Sequence, residues 1–356
     1  MMTAHPEIVF GAFMLAVLGL VGGLLWSLPT WSQAGSFFAV TVVPSFRDSP
    51  EAQRILRSYR IELLAHLTIS FALIAAARGR RAVELLVFGM LWLVVGPLVA
   101  ISRAHAKAVP HAVAHSTIRE ASLAPRSTHL PGGWLLQSAP FAILLVAAAY
   151  LAAHWNQIPE RFPVHWGING QPNGWSTRTA IGVYGPLCFG AGMVAMISAL
   201  SYGISRAARL VPADAGEGRA SSPGHRTALV LIGVEFFLAA MFSLAGLLPL
   251  TGSPGAMSIL VLAGGVIVFA VLLVRWQSQG LAAHAAAGHP GDGTPDACWK
   301  LGLFYYNPDD AAVFVEKRIG FGYTVNFARP AAWILLLITL LLPLGLAVLT
   351  ITNQRH

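Results

Sequence analysis

The sequence has few charged residues and few cysteines, and both shortages restrict the class of protein. Only 11% of the 356 residues are Asp, Glu, Lys or Arg, whereas about a quarter are charged in ordinary soluble domains. Two cysteines cannot build a disulfide framework, so we expect Cys188 and Cys298 to be free thiols. Because 56% of the residues are hydrophobic, the composition predicts an integral membrane protein whose main partner is the lipid bilayer.

Catalytic and metal-binding motifs are also missing. The chain has no His-Glu-x-x-His, no Gly-x-Ser-x-Gly and no P-loop. His111 and His115 would share a helix face, but no neighbouring carboxylate or cysteine completes a metal site, so we expect a solvated loop there. The sequence therefore predicts a protein that is not an enzyme, has no cofactor and has no metal site.

Eight apolar blocks are long enough to be membrane spans, since a helix of about 20 apolar residues crosses about 30 Å of hydrocarbon. They are Ile8–Leu28, Ile61–Ala77, Val83–Ile101, Leu135–Ala153, Ala180–Ile204, Ala228–Leu250, Ser258–Val274 and Ala331–Ile351. The second block is short and Gly96-Pro97 interrupts the third, so a re-entrant pair is the alternative for these two. The first block resembles a signal peptide in part, but its N-terminal flank lacks Lys and Arg, which favours an uncleaved helix.

The fold predicted from these blocks is an all-α polytopic membrane protein with about eight transmembrane helices, a small outer hairpin-like cap and a small cytoplasmic α+β module. Five segments follow. They are residues 1–134 with three spans and basic loops, 135–204 with two spans around the outer motif, 205–279 with two spans, 280–330 with a linker and the module, and 331–356 with the last span and tail.

The basic residues predict the orientation of the spans. If the N-terminus lies outside, the first, third, fifth and seventh connections carry 17 of the 23 Lys and Arg residues, and the remaining connections and the tail carry 6. Cytoplasmic connections usually carry this excess, so we expect both termini outside a bacterial cytoplasmic (inner) membrane. Arg78, Arg80 and Arg81 are an exception, because they would lie outside.

The first connection contains a predicted helix start. Ser49 can cap a helix and Pro50 suits its first position. Arg54, Arg57 and Arg60 follow at helical spacing. This pattern is typical of a juxtamembrane helix on lipid headgroups, and recognition of a phosphate-bearing partner is the alternative.

The fourth connection predicts a compact hairpin. Val164-His165-Trp166 reads as an extended run, and Asn169-Gly170 and Asn173-Gly174 can take the positive φ of tight turns. His165, the titratable residue at the centre of this motif, either bonds to the turn backbone or contacts a ligand or metal. The candidate functional residues of this cap are His165, Trp166, Asn169, Gly170, Pro172 and Asn173.

The seventh connection predicts a small module after a linker over Gly280–Pro295. Asn307, Pro308 and the carboxylates that follow are typical of a helix start. The alternating residues of the segment 323–327 predict a half-buried strand. Its candidate functional residues are Tyr306, Asn307, Pro308, Asp309, Asp310, Lys317, Arg318, Gly320, Gly322 and Asn326.

Two of these motifs carry a family resemblance. The run from Pro163 to Asn173 resembles the signature of domain of unknown function 1648, the membrane domain of sporulation-delaying toxin immunity proteins. The run from Tyr305 to Phe327 resembles domain of unknown function 5808. The resemblance implies a membrane protein like those that confer immunity to a peptide toxin and sequester a transcriptional repressor. The first family commonly has aspartate where this chain has Asn173, which weakens a cation site there.

One carboxylate lies within a predicted span. Glu235 is flanked by Val234 and Phe236, and a charged group in hydrocarbon costs about 2.5–3.5 kcal/mol, so it usually faces a partner or a cavity. Glu62 and His66, one helical turn apart, are a candidate pair for it. A protonated, hydrogen-bonded glutamic acid is the structural alternative to a functional role.

Two functions are therefore expected. The first is a non-enzymatic immunity or signalling protein whose outer cap binds an extracellular peptide ligand and whose inner module contacts a cytoplasmic regulator, without direct binding of nucleic acid. The second is a small-solute or proton-coupled transporter that uses Glu235. A transporter of this kind often contains an inverted repeat, and none is visible in the sequence.

Overall fold

The computed structural model describes residues 18–32, 35–77, 82–113, 133–166, 171–207, 223–251, 264–266, 268–272, 275, 294–320 and 322–353. The chain divides into two compact units. The first, called the bundle unit, comprises residues 1–13, 122–273 and 330–356. The second, called the module unit, comprises residues 14–121 and 274–329.

The described residues are mostly helical, as predicted. The helices are α1 (Leu18–Trp31), α2 (Pro50–Ala75), α3 (Ala82–Ala108), α4 (Gly133–Ala153), α5 (Ala180–Ala207), α6 (Pro223–Thr251) and α7 (Pro330–Asn353). Five of them, α2 to α6, are long and apolar enough to cross a membrane. The chain is therefore a membrane protein with five candidate spans.

The other three predicted spans are not among these five. The first, of which residues 18–28 are described, is represented by α1, a shorter apolar helix, and the last lies within α7, which has an apolar stretch over Pro330–Leu341. Of the predicted span Ser258–Val274, residues 264–266 and 268–272 are described, and they are helical. Arg78, Arg80 and Arg81 lie outside the described residues.

The strands form short antiparallel hairpins. They pair as β1 (Ser36–Phe37) with β2 (Val40–Thr41), β3 (Arg161–Trp166) with β4 (Pro172–Thr177), β5 (Trp299–Lys300) with β6 (Phe304–Tyr305), and β7 (Phe314–Glu316) with β8 (Tyr323–Val325). A parallel bridge between Tyr305 and Asn326 joins the last two hairpins. The strand predicted over 323–327 is confirmed as β8.

The bundle unit is built on the close antiparallel pair α5 and α6. Gly190 lies against Phe242 and Gly246 against Leu187, where a β-carbon on either glycine would fall within 3.0 Å of the facing side chain. Small residues at such positions let two helix backbones approach closely, which is how helices associate in lipid. Helix α4 packs on both α5 and α6 and completes the core.

In the module unit, α2 and α3 form a helical hairpin. The Ser49 side chain accepts a hydrogen bond from the backbone N–H of Ala52, and Pro50 is the first helical residue, as predicted. The helix then continues without interruption to Ala75, so the expected juxtamembrane helix and the second span are one element. Helix α2 contains an apolar window of the length that a membrane span needs, which favours full spans over a re-entrant pair.

The segment 294–329 forms a small β module rather than the expected α+β module. The prediction of a helix that starts at Asn307 is wrong, because residues 307–310 form a turn. Local hydrogen bonds from side chains explain this turn. Asn307 Oδ1 accepts from the N–H of Asp309, and Asp310 Oδ1 accepts from the N–H of Ala312, and such side-chain bonds compete with helix formation. The helical turn of the described module is a 3-10 turn at Asp296–Cys298.

Candidate functional site

The predicted outer cap is an antiparallel hairpin, β3 and β4, at one end of the bundle unit. Phe162 is 1% exposed and packs into the core that α4 and α5 form with Ile158. Arg178, just after β4, donates a hydrogen bond of 3.1 Å to the Ile158 carbonyl. These contacts fasten the hairpin to the helices. His165 is exposed on the other side of the strand.

The hairpin is irregular where the candidate residues lie. His165 pairs with Gly174, and Trp166 pairs with Pro172, with register shifts on both sides of His165. Asn173-Gly174 was predicted to be a positive-φ turn, but both residues lie within β4, and the φ of Gly174 is not positive. Gly174 is required for another reason, since a β-carbon there would lie 2.8 Å from that of His165. Asn169 and Gly170 lie outside the described residues.

The turn over residues 307–310 of the module is held by the side chain of Asn326, which is 0% exposed. Its Nδ2 donates to the carbonyls of Asn307 and Asp310, and its Oδ1 accepts from the N–H groups of Asn307 and Ala328. The Tyr305 hydroxyl donates to the Asp310 carboxylate at 3.0 Å. The polar side chains of this turn therefore bond mainly to one another and leave little capacity for a ligand.

The module is attached to the N-terminal part of its unit through Arg318, which is 2% exposed. The guanidinium donates to the carbonyls of Ala39 and Thr294 and to the Asp296 carboxylate. Asp296 also accepts from Thr41, from the N–H at 2.9 Å and from the hydroxyl at 2.7 Å. We call the set Arg318, Asp296 and Thr41 the arginine node.

The hydrogen bonds of the arginine node determine the protonation state of Asp296. Burial alone would raise the pKa of Asp296, but the hydrogen bonds from Arg318 and Thr41 outweigh burial and hold the pKa below its ordinary value. Asp296 is therefore ionised at neutral pH and forms a buried ion pair with Arg318. Burial raises the pKa of the nearby Cys298 thiol, which makes this cysteine a weak nucleophile.

Other candidate residues of the module are at its surface. Tyr306 is 49% exposed, and Pro308, Asp309 and Lys317 are exposed as well. Gly320 and Gly322 have positive φ values of 76° and 92°, so both are needed for the backbone turn between β7 and β8. The module thus separates its candidates into a buried structural set and an exposed set.

Comparison with known families gives two matches, one on each of these structures. The model of a domain of unknown function, DUF1648, matches residues 142–187, and that of a family of unknown function, DUF5808, matches residues 308–333. The chain carries DUF1648 and DUF5808, in that order. No curated protein and no solved structure matches it.

The two matched segments coincide with structural elements. The DUF1648 segment contains most of α4, the β3–β4 hairpin and the beginning of α5. The DUF5808 segment contains β7, β8 and the start of α7. Arg318 lies within the DUF5808 segment, whereas its partner Asp296, and Thr41, which donates to Asp296, lie outside it. The sequence indicates Arg318 but not the other two residues of the node, since Asp296 directly follows the predicted linker and Thr41 precedes Asp296 by 255 residues.

The buried acid Glu235 lies on α6, outside the DUF1648 segment. It is 0% exposed, and neither carboxylate oxygen has a hydrogen-bond partner among the described residues. The Ser198 side chain of α5 faces it, and one turn further Ser201 donates to the Ala228 carbonyl at 3.4 Å. Glu235 therefore lies in the α5–α6 contact, with the Ser198 hydroxyl as a polar neighbour.

Glu62 and His66 both make contacts between α2 and α3. Glu62 forms ion pairs with Lys107 at 3.1 Å and Arg103 at 3.6 Å, which join α2 to α3. The His66 ring packs near Trp92 and directly against Gly96. Both residues thus hold the α2–α3 hairpin together.

Within the described part of the chain, no group of three His, Cys, Asp or Glu side chains could hold a metal ion. His111 packs on the Phe46 ring, with centroids 4.7 Å apart, and His115 lies outside the described residues. Cys188 and Cys298 are free thiols, as predicted.

Proposed function

We propose that this chain is a non-enzymatic membrane protein of the toxin-immunity or signalling type, with a ligand-binding hairpin outside and a partner-binding module inside. The observation that carries the proposal is the arginine node. It makes the DUF5808 module part of the same compact unit as the α2–α3 hairpin. A cytoplasmic regulator that binds the module is thereby held at the membrane, which is what sequestration requires.

The exposed surface of the module supports a binding role. Tyr306, Asp309 and Lys317 are exposed residues of the module and include an aromatic ring and charges of both signs. Aromatic and charged side chains are common at protein interfaces. We assign this surface to the cytoplasmic regulator.

The outer hairpin supports a ligand-binding role in the same way. His165 and Trp175 are exposed, and Arg161 lies over the Trp175 ring at 5.1 Å. The hairpin is fixed to the bundle by Phe162, so its exposed face is held in place. We assign this exposed face to an extracellular peptide.

Eight spans with both termini outside form part of the proposal. Because Thr41 contacts Asp296, the segments around them lie at the same membrane surface, and an even number of crossings must separate them. Helices α2 to α6 supply five. The block Ser258–Val274, whose described residues are helical, supplies the sixth. The basic residues of both segments favour the cytoplasmic side.

Glu235 supports the second candidate, a proton-coupled transporter. An acidic side chain that is fully buried in a span, with the Ser198 hydroxyl as the polar group that faces it among the described residues, is costly in a membrane and is commonly functional there. A proton carrier at this position would bind and release its proton between α5 and α6. No Lys or Arg of the described residues forms an ion pair with Glu235, and an ionised carboxylate without one is unfavourable in hydrocarbon, which favours the receptor role.

The first prediction separates these functions. In a susceptible bacterium challenged with membrane-active peptide toxins, we expect the wild-type chain and Glu235→Gln to protect equally, and His165→Ala or Tyr306→Ala to lose protection. Glutamine keeps the shape of the buried side chain but cannot titrate. We expect proteoliposomes with the wild-type chain to show no more proton uptake than empty vesicles.

Two results would contradict the receptor function. One is proton uptake by the wild-type chain that Glu235→Gln abolishes. The other is full protection by both surface variants. Leu145→Ala, a truncation of a 70% exposed side chain on α4 outside both proposed binding surfaces, serves as the control for expression and membrane insertion.

A further inference from the structure

A groove between α1 and α2 in the module unit combines cationic and apolar side chains. It has a volume of about 450 Å³. Trp26 of α1 and Gln53, Arg57 and Arg60 of α2 form its polar part. The groove lies far along the chain from the hairpin and the DUF5808 segment, and neither matched segment includes it.

The walls of the groove are held together by two contacts. The Tyr59 hydroxyl donates a hydrogen bond of 2.6 Å to the Leu25 carbonyl, and Tyr59 is 1% exposed. The Arg60 guanidinium lies over the Trp26 ring, 4.7 Å from its centroid. Because α1 is bonded to α2 beside the groove, the positions of Trp26 and Arg60 are defined before any ligand binds.

The two arginines of the groove lack an acidic partner, unlike their neighbours. Arg54 pairs with Glu51, and Glu62 pairs with cations of α3. Among the described residues, neither Arg57 nor Arg60 forms an ion pair, and the Nε of Arg60 is buried without a hydrogen-bond partner. The groove therefore offers two positive charges to an anion.

The apolar part of the groove continues along α2 towards its hydrophobic half. Leu56, Ile61 and Leu64 line it, and Ile61 and Leu64 are 60% and 50% exposed. The polarity changes from Gln53 and Arg57 to Ile61 and Leu64 over about two helical turns. A ligand that matches this gradient has an anionic head and a hydrocarbon chain.

We propose that this groove binds an anionic phospholipid. Its phosphate accepts hydrogen bonds from Arg57 and Arg60, because guanidinium groups match phosphate oxygens in charge and geometry. Trp26 lies at the level of the headgroup, where tryptophan is enriched. One acyl chain packs along Ile61 and Leu64.

Native mass spectrometry of the full chain in detergent tests the proposal, with phosphatidylglycerol as the probe. We expect one saturable bound lipid, with phosphatidylcholine bound at least about tenfold more weakly. In the double variant Arg57→Gln, Arg60→Gln we expect phosphatidylglycerol affinity to fall by about tenfold or more, since each basic residue near an anionic surface contributes substantially to binding. Inorganic phosphate and glycerol phosphate, added alone, distinguish a lipid site from a free-phosphate site.

Arg54→Gln is the matched control, because it removes the same charge from the same helix one turn before Arg57, where the side chain is 79% exposed and pairs with Glu51. We expect its lipid affinity to stay within about twofold of wild type. An equal loss in Arg54→Gln and in the double variant would reduce the effect to diffuse attraction and overturn the proposal. Binding of free phosphate as tight as that of the lipid would overturn it as well.

A second measurement uses the wild-type chain and so does not depend on how the variants fold. Photoactivatable phosphatidylglycerol in membranes should cross-link to peptides of α1 and α2 that contain Trp26 or Leu64. Excess phosphatidylglycerol should suppress this cross-link and excess phosphatidylcholine should not. Cross-links spread evenly over all helices would contradict a defined site.

Discussion

At the scale of single residues, the arginine node shows how one side chain joins distant parts of the sequence. Arg318 and Asp296 form an ion pair in which the arginine is 2% and the carboxylate 25% exposed on their side chains. Such a pair is stable when further hydrogen bonds satisfy both groups, and Ala39, Thr41 and Thr294 provide them. The node therefore depends on geometry as well as charge.

The second prediction concerns Arg318→Met. Methionine keeps the length of the side chain but leaves Asp296 without its buried cation, so we expect attachment of the module to weaken by about 3 kcal/mol. In a Cys188→Ser background, the labelling rate of the Cys298 thiol by a maleimide reports detachment, because Cys298 is only partly exposed. We expect faster labelling in the variant than in its parent.

Lys317→Met is the control for this experiment. It removes the same charge from the adjacent residue, whose side chain is exposed, and we expect the labelling rate to stay close to that of the parent. If Arg318→Met also left the rate unchanged, the node would not be what holds the module in place.

Single residues also show the limit of prediction from sequence. Ser49 and Pro50 were recognised because a helix start depends on neighbours within three residues. The same logic failed at Asn307, whose carbonyl and N–H bond to Asn326, 19 residues further on. Asp296 and Thr41 carry no local signal at all, because their role exists only once the chain has folded.

At the scale of elements, the β3–β4 hairpin was predicted correctly but its internal geometry was not. The extended run and the turn-forming residues indicated two strands, and the strands are present. Asn173-Gly174 was read as a turn because the pair commonly adopts one, whereas here β4 continues through it and pairs with the irregular part of β3. Pairing across strands therefore overrode a local preference.

The third prediction tests this packing with Gly174→Ala. The added methyl group would lie 2.8 Å from the His165 β-carbon, so we expect the hairpin to lose about 1–3 kcal/mol of stability. Protease cleavage within residues 161–177 of the full chain should become faster. In a His165→Gly background the facing β-carbon is absent, and the same alanine should have a much smaller effect.

Gly185→Ala provides a matched control in α5, because nothing lies within 4 Å of a β-carbon there. We expect its cleavage pattern to equal that of wild type. An equal effect of Gly174→Ala in both backgrounds would show that contact with His165 is not the cause.

At the scale of the whole molecule, the chain alternates between its two units. It passes from the module unit into the bundle unit after α3, returns for the β5–β8 module and ends with α7 in the bundle unit. Apolar blocks of about 20 residues made the long helices predictable, since length and hydropathy alone define them. The grouping into units was not predictable, because it depends on contacts such as Gly190 with Phe242 and Thr41 with Asp296.

The last prediction tests how many times the chain crosses the membrane. Single cysteines replace Arg54, Trp166 or Tyr306 in a background with Cys188→Ser and Cys298→Ser. With an impermeant thiol reagent on intact cells, we expect labelling at position 166 only, and labelling at 54 and 306 after permeabilisation. The physical reasons are the excess of basic residues in the first and seventh connections and the contact that holds these connections together.

Each pair of labelled positions tests a separate part of the proposed topology. Positions 166 and 306 are separated by α5, α6 and the block Ser258–Val274, so they face opposite sides only if this block is a third crossing. Positions 54 and 306 must face the same side, because Thr41 and Asp296 are hydrogen-bonded. Labelling of 166 and 306 from one side would eliminate the crossing at 258–274. Labelling of 54 and 306 from opposite sides would instead contradict the arginine node, so the two failures are distinguishable in one set of cells.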